Sequence, residues 1–282
     1  MKPFFKKYLP PALGKYLEFL LVVKPEKAIK KAVYFFSTPK KGKVTPDQEF
    51  FLEEAEDDVV PFENLLLQTY RWKGEKETIL LVHGWESNTH RWKILIEKLQ
   101  QLRYDIVAFD APAHGHSTGT FLNVPLYANC MERIITMYRP DYIIGHSIGA
   151  MTSVFYQYKF QNPEIKKMVL LAPPTKLETI MKNFQNILKL SDRFMTILDS
   201  YFKRTFDFYF IEFSLLRFAN TMQLPGLLVH DKYDDIAPFS ESSQLLEHWN
   251  KLQLMETENF GHSLYFDEVD DAIIKFIQMG TI

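Results

Sequence analysis

The stretch that most limits what this chain can become is Tyr142-Ile-Ile-Gly-His-Ser-Ile-Gly-Ala-Met151. Tyr142, Ile143 and Ile144 have the character of a buried strand end, and Ala150 to Tyr158 follows with helical spacing. Gly145-His146-Ser147-Ile148-Gly149 is left for the turn between them. A serine at such a turn is held in a strained backbone conformation that lifts its hydroxyl out of the sheet. Glycines on either side let strand and helix backbones approach without a colliding Cβ. The five-residue pattern is common on its own; it gains meaning when a base and an acid follow it in the chain.

Both follow. His230-Asp231-Lys232-Tyr233-Asp234-Asp235-Ile236-Ala237-Pro238 comes directly after the apolar run Leu227 to Val229. Phe260-Gly261-His262-Ser263 lies between a last strand, Lys251 to Glu256, and a closing helix, Asp267 to Met279. Asp234 stands 87 residues after Ser147, and His262 a further 28. Serine is a poor nucleophile until a base takes its proton, and a histidine base needs a carboxylate to fix its tautomer and stabilise its charged form. The residues alone leave Asp231, Asp234 and Asp235 open for that carboxylate.

The rest of the pattern says what carries these groups. Leu65 to Trp72 reads as a strand, and Thr78 to Val82 as a continuous apolar strand suited to a sheet covered on both faces. Arg91 to Leu102 is helical, Asp105 to Phe109 a strand, Asp110 to Gly119 a polar loop, and Asn123 to Tyr138 a helix. Asp141 to His146 enters the serine turn, and Met168 to Leu171 is a further strand. Strands alternating with helices imply right-handed crossovers and a doubly wound, mostly parallel sheet, whose ligands bind at the carboxyl ends of the strands. Every motif of interest falls at such an end.

Four motifs in this order resemble the α/β-hydrolase fold across roughly residues 65–280: His83-Gly84-Trp85, Asp110-Ala-Pro-Ala-His-Gly-His-Ser117, Gly145-His-Ser-Ile-Gly149, and the paired Asp234 and His262 segments. The resemblance implies Ser147 as nucleophile, His262 as general base and Asp234 as acid. Asp234 is chosen because the family's acid stands four residues before a proline, here Pro238; Asp235 is the runner-up, and Asp231 is expected to end the strand by bonding local backbone. It also implies an oxyanion hole of two backbone N–H groups, from Trp85 and Ile148. Two positions depart from the family's usual form, Ala237 for valine and Ala113 for glycine. The loop from Asp110 is expected to act structurally, by positioning its neighbours.

Composition narrows the field. A formal net charge of −2 gives no pull toward nucleic acid, and no phosphate-binding glycine loop or zinc-spaced Cys/His set is present. His83, His90, His114, His116, His146, His230 and His248 lack metal-ligand pairing; those at strand ends are expected to be satisfied structural histidines. No cofactor and no metal are implied. Cys130 is the only cysteine, lies in an apolar helical run, and is expected to be a packed thiol; a cytoplasmic location is compatible with it.

Two stretches stand apart. Residues 1–43 hold eleven lysines against Glu18 and Glu26, followed by an acidic block from Asp47 to Glu63. The apolar run Leu17 to Val23 is too short to cross a bilayer, and no small-residue cleavage site marks a signal peptide. One reading is a basic amphipathic segment in weak contact with an anionic membrane surface. The preferred one is a helical extension packed on the main domain with its lysines solvated, since a long apolar side serves equally as core. Between Pro174 and Gly226 lie about fifty residues of helical pattern, more than one crossover helix needs. The resemblance places caps here, and its aromatics, from Phe194 to Phe218, suit either an apolar pocket or the cap's own burial.

The expected protein is thus an N-terminal, charge-segregated helical extension (1–64) and an α/β-hydrolase domain (65–282) with a helical cap insertion at about 175–215. It is expected to cleave a small carboxylic ester or thioester through an acyl-enzyme. Alternatives are a C–C bond hydrolase or acyltransferase with the same triad, or a non-catalytic ligand-binding or scaffold member of the fold.

Overall fold

The apolar runs become strands in the computed structural model, which describes residues 2–282, with side chains from Pro10 onward. Lys2, Lys6 and Lys7 of the basic segment lie outside those described side chains. Eight strands form one sheet: β1 (Glu56–Phe62), β2 (Leu65–Trp72), β3 (Thr78–Val82), β4 (Asp105–Phe109), β5 (Tyr142–His146), β6 (Lys167–Leu171), β7 (Gly226–Asp231) and β8 (Leu252–Thr257). The order is β1-β2-β4-β3-β5-β6-β7-β8. β1 pairs β2 and β2 pairs β4 antiparallel; every later pairing is parallel. The sheet is doubly wound and mostly parallel, as the alternation of strands and helices implies.

The helices used below are α1 (Lys2–Val23), α2 (Pro25–Ser37), α3 (Pro46–Leu52), α4 (Lys93–Gln101), α5 (Val124–Tyr138), α6 (Ile148–Phe160), α7 (Leu177–Leu188) and α8 (Asp192–Phe206). α4 is preceded by a 3₁₀ turn, Thr89–Trp92, so the expected helix over 91–102 opens as a tighter turn. α5 starts where Asn123 accepts the Leu126 N–H at 2.8 Å, and it stops at Arg139 in the left-handed region.

The chain divides into two compact units. One joins the described residues up to Thr38 with Lys176–Arg217; the other joins Pro39–Thr175 with Phe218–Ile282. The second holds the whole sheet. Its strands β4 and β5 are buried throughout, as continuous apolar runs require. Alternation sends Ile79, Leu81, Ile106 and Ile144 to a face covered by Leu95, Ile96 and Leu99 of α4 and by Ile273 and Phe276 of the closing helix. On the other face Phe109 meets Tyr127 of α5, ring centres 5.5 Å apart. Each such side chain contributes about 1.5–3 kcal/mol by leaving water.

The acidic block does not form a helical extension as a whole. Residues 56–62 are strand β1, an edge strand in which only Val60 is buried and the acidic residues face water. An edge tolerates such charge, and Pro61, because one side of its ladder is unpaired.

The other unit is helical. α1 and α2 pack on each other and on α7 and α8. The insertion's aromatics supply much of its interior: Phe194, Phe202, Phe210 and Phe213 are buried, and the Phe202 ring meets Phe36, Phe206, Phe208 and Phe210. Tyr209 remains exposed. Phe218 falls in the sheet unit, where it packs on Phe155 and Tyr158.

Candidate active site

Ser147 sits between β5 and α6 with φ 53° and ψ −124°, a strained conformation for a residue with a Cβ. Gly149 makes the tight turn feasible, since a Cβ there would lie 2.2 Å from the Val82 carbonyl oxygen. The serine is half-buried, and its N–H is fixed on the Leu171 carbonyl at 2.8 Å. Burial of β5 on both faces holds the turn rigid from behind.

His262 brings its Nε2 to 2.9 Å from the Ser147 Oγ and its Nδ1 to 2.7 Å from the Asp234 Oδ2. An ionised carboxylate only accepts, so Nδ1 carries the ring proton and Nε2 is left to accept the serine hydroxyl. Asp234 is closed off from solvent and fully bonded. Its Oδ1 accepts the Ile236 and Ala237 N–H groups at 2.8 and 3.0 Å. Its Oδ2 accepts from two rings, His262 and His230, the latter at 3.1 Å. Burial pushes this carboxyl up, but the bonds from His230, His262, Ala237 and Ile236 outweigh it and hold Asp234 well below the usual carboxylate range.

The other two carboxylates of the segment lie elsewhere. Asp231 accepts the Tyr233 N–H, the Thr257 hydroxyl and the Phe260 N–H, so it ties the end of β7 to the loop that carries His262. Asp235 is exposed.

The two expected oxyanion donors are backbone groups near the serine. Ile148 opens α6, where the first N–H groups have no intrahelical acceptor. Trp85 follows Gly84, whose missing Cβ would lie 3.1 Å from the Ser147 Cβ. Among the described residues neither N–H donates to a protein acceptor. The Trp85 ring is partly exposed and meets the His114 ring edge-on.

Behind that loop lies a hydrogen-bonded scaffold. His83 is fully buried, accepts the Ala111 N–H on Nε2 at 2.9 Å and donates from Nδ1 to the Gly84 carbonyl. Its burial lowers its pKa to about 4. His114 joins Pro112 to the Glu86 N–H in the same manner, and burial and the His83 ring lower it to about 4. Asp110 accepts from the Thr89 N–H and hydroxyl, the Tyr70 hydroxyl and the His116 N–H. The 110–119 loop therefore positions its neighbours.

Three residues that the sequence did not single out as part of the site touch its members or the loop that carries His262. His230 Nε2 faces only acceptors, Asp234 and the Ala237 carbonyl, so it carries the proton, and Nδ1 meets the Ser242 hydroxyl at 2.7 Å. Its spacing of four from Asp234 was the available signal. His146 donates from Nε2 to the His262 carbonyl at 2.9 Å, and its Nδ1 is buried with no partner among the described residues. Burial, with Arg91 nearby, holds this ring neutral, well below its ordinary pKa. Arg91 donates to the Ser263 carbonyl at 3.0 Å with its guanidinium over the Trp92 and Tyr265 rings, 4.5 and 4.9 Å from their centres. His146 and Arg91 both act on backbone carbonyls, which leave no mark in a sequence.

Comparison with known proteins places the chain by family and fold. A family model described as alpha/beta hydrolase fold matches residues 77–223, just over half of the sequence. Phospholipase YtpA of Bacillus subtilis (strain 168) is 26% identical over 113 residues, 37% of this chain and 44% of that protein. A proline iminopeptidase of Xanthomonas citri is 35% identical over 69 residues, 24% of this chain and 22% of that protein. The chain spans less than half the length of these curated relatives it matches. An esterase of Pyrococcus furiosus superposes with a TM-score of 0.64 at 21% identity, covering 86% of this chain and 97% of that one, a likeness of fold. With more than half its length matched by one family and the mostly parallel sheet beneath the match, the chain belongs to the alpha/beta hydrolase fold family.

Proposed function

We propose that the chain is a serine hydrolase that cleaves a small carboxylic ester or thioester through an acyl-enzyme. The observation that carries this reading is the continuous chain Asp234 Oδ2, His262 Nδ1 and Nε2, Ser147 Oγ, with contacts of 2.7 and 2.9 Å, ending on a serine held in a strained turn. In the reaction Ser147 Oγ bonds to the carbonyl carbon as its proton passes to His262 Nε2. Asp234, held ionised by its four donors, stabilises the imidazolium. The carbonyl oxygen gains the electron pair and accepts from the Trp85 and Ile148 N–H groups. Collapse of that adduct expels the alcohol or thiol, which takes the proton from His262. A water then gives a proton to His262 and attacks the acyl carbon, releasing the acid and restoring Ser147. Phospholipase YtpA and the Pyrococcus esterase are named for ester cleavage, which favours this bond over the amide suggested by the iminopeptidase.

A panel of p-nitrophenyl esters of increasing acyl length, with prolyl p-nitroanilide as the amide counterpart, tests the reading. Ester turnover well above amide turnover, lost in Ser147→Ala, is the expected result. Turnover of the amide alone, or ester turnover that survives Ser147→Ala, contradicts it.

A further inference from the structure

Helix α1 is apolar on two sides. One side is used within the helical unit, where Leu17, Leu20 and Leu21 are buried. A Cβ on Gly14 would clash with the Leu188 carbonyl at the end of α7, so the two helices cross in backbone contact there. Glu18 Oε1 accepts the Ser191 N–H at 2.6 Å just beyond it. These contacts fix the rotation of α1 about its axis.

They thereby fix what the opposite side presents. Tyr16, Phe19, Val22 and Val23 recur at helical spacing and face water, Phe19 at 66% and Val22 at 76% exposure. The neighbouring helix supplies charge. α2 buries Ala28, Ile29 and Ala32, which turns Lys27, Lys30 and Lys31 outward. The Lys31 Nζ lies 5.8 Å from the Tyr16 ring centre, so the basic face of α2 adjoins the apolar stripe of α1. Lys15 and Lys24 are exposed at the ends of the stripe. The acidic groups of this region are Glu26, which pairs with Lys30 at 3.6 Å, and Glu18, which is engaged by Ser191.

We propose that this face docks on an anionic lipid bilayer. Phe19, Val22 and Val23 enter the boundary between headgroups and acyl chains, and the lysines lie over the lipid phosphates. An apolar layer beneath an anionic one matches both features of the face. A second copy of the chain matches the apolar stripe alone, since a two-fold contact would also set the same lysines against each other. Among the described residues no helix is long and apolar enough to cross a membrane, so the contact is with the surface. The inference stands apart from the chemistry assigned to Ser147.

Sedimentation of the full chain with vesicles of equal phosphatidylglycerol and phosphatidylcholine, beside vesicles of phosphatidylcholine alone, tests it. The chain is expected to bind the anionic vesicles, to bind the neutral ones far less, and to be released as salt rises toward about 0.5 M. Replacing Lys24, Lys27 and Lys30 together by alanine lowers the partition coefficient roughly a hundredfold. The pair Phe19→Ser and Val22→Ser lowers it at least roughly tenfold. All five positions are exposed, and unchanged melting curves show that the variants fold. No binding to anionic vesicles, equal binding to neutral ones, or variants that bind like the wild type overturns the proposal. A dimer seen by light scattering and dissolved by the serine pair also overturns it, by assigning the face to a second copy.

Discussion

Two buried carboxylates stand at carboxyl ends of the same sheet, and their surroundings differ in one respect. Asp110, after β4, is saturated by backbone N–H groups, a threonine hydroxyl and the Tyr70 phenol. Burial and the Asp110 carboxylate push ionisation of that phenol far up, so none of these donors changes state near neutral pH. Asp234, after β7, gives one oxygen to backbone N–H groups and the other to two histidine rings. Burial and full hydrogen bonding are common to both. What separates a positioning carboxylate from one fit to take part in a reaction is what its donors can become: His262 can accept a second proton at Nε2, and a backbone N–H cannot.

The same substitution at the two sites should therefore move different observables. Asp234→Asn is expected to lower kcat/KM for an ester about ten-thousand-fold, since an amide in its place favours the wrong tautomer of His262. Asp110→Asn is expected to cost about 3 kcal/mol of stability by leaving buried donors without an acceptor, while kcat/KM per folded molecule falls less than about tenfold. Initial rates and denaturant unfolding on both variants check this; equal rate losses would erase the distinction.

The scaffold behind the Asp110 loop also predicts a pH dependence. His83 and His114 have folded pKa values near 4, below the ordinary value of 6.5. Between those limits the unfolded chain binds more protons than the folded one, so stability is full above about 6.5 and falls as pH drops toward 4. For fully buried His83 the loss is on the order of 3 kcal/mol, read from unfolding midpoints across that window. His83→Gln should flatten the slope.

The smallest effect concerns the donor that Asp234 shares with His262. His230→Leu removes one bond from Oδ2 and should lower kcat/KM about tenfold, about 1.4 kcal/mol. His230→Gln retains an N–H donor and should lose less. Equal losses in the two variants would reduce His230 to packing.

Much of this was legible because each motif carries its own local physics. The glycines around Ser147 and the apolar run before His230 are visible in the chain, whereas the choice of Asp234 over Asp231 and Asp235 came from the resemblance, through the proline four residues on. Other parts had no such mark. β1 is acidic because it is an edge strand, and an acidic stretch reads as an extension. The joining of the described residues up to Thr38 with the insertion near 176–217 depends on contacts such as Gly14 against Leu188, across a long sequence gap. Loop anchors such as His146 on the His262 carbonyl, 116 residues apart, depend on the closed fold alone.

The proposed reaction requires Ser147 to be activated by His262 and Asp234. The most direct test is to react the folded protein with a fluorophosphonate and locate the adduct by peptide mass spectrometry. One phosphonyl group is expected on Ser147, absent in Ser147→Ala and formed far more slowly in Asp234→Asn. An adduct on another residue, or none on folded protein, contradicts it and leaves the fold without the chemistry proposed for it.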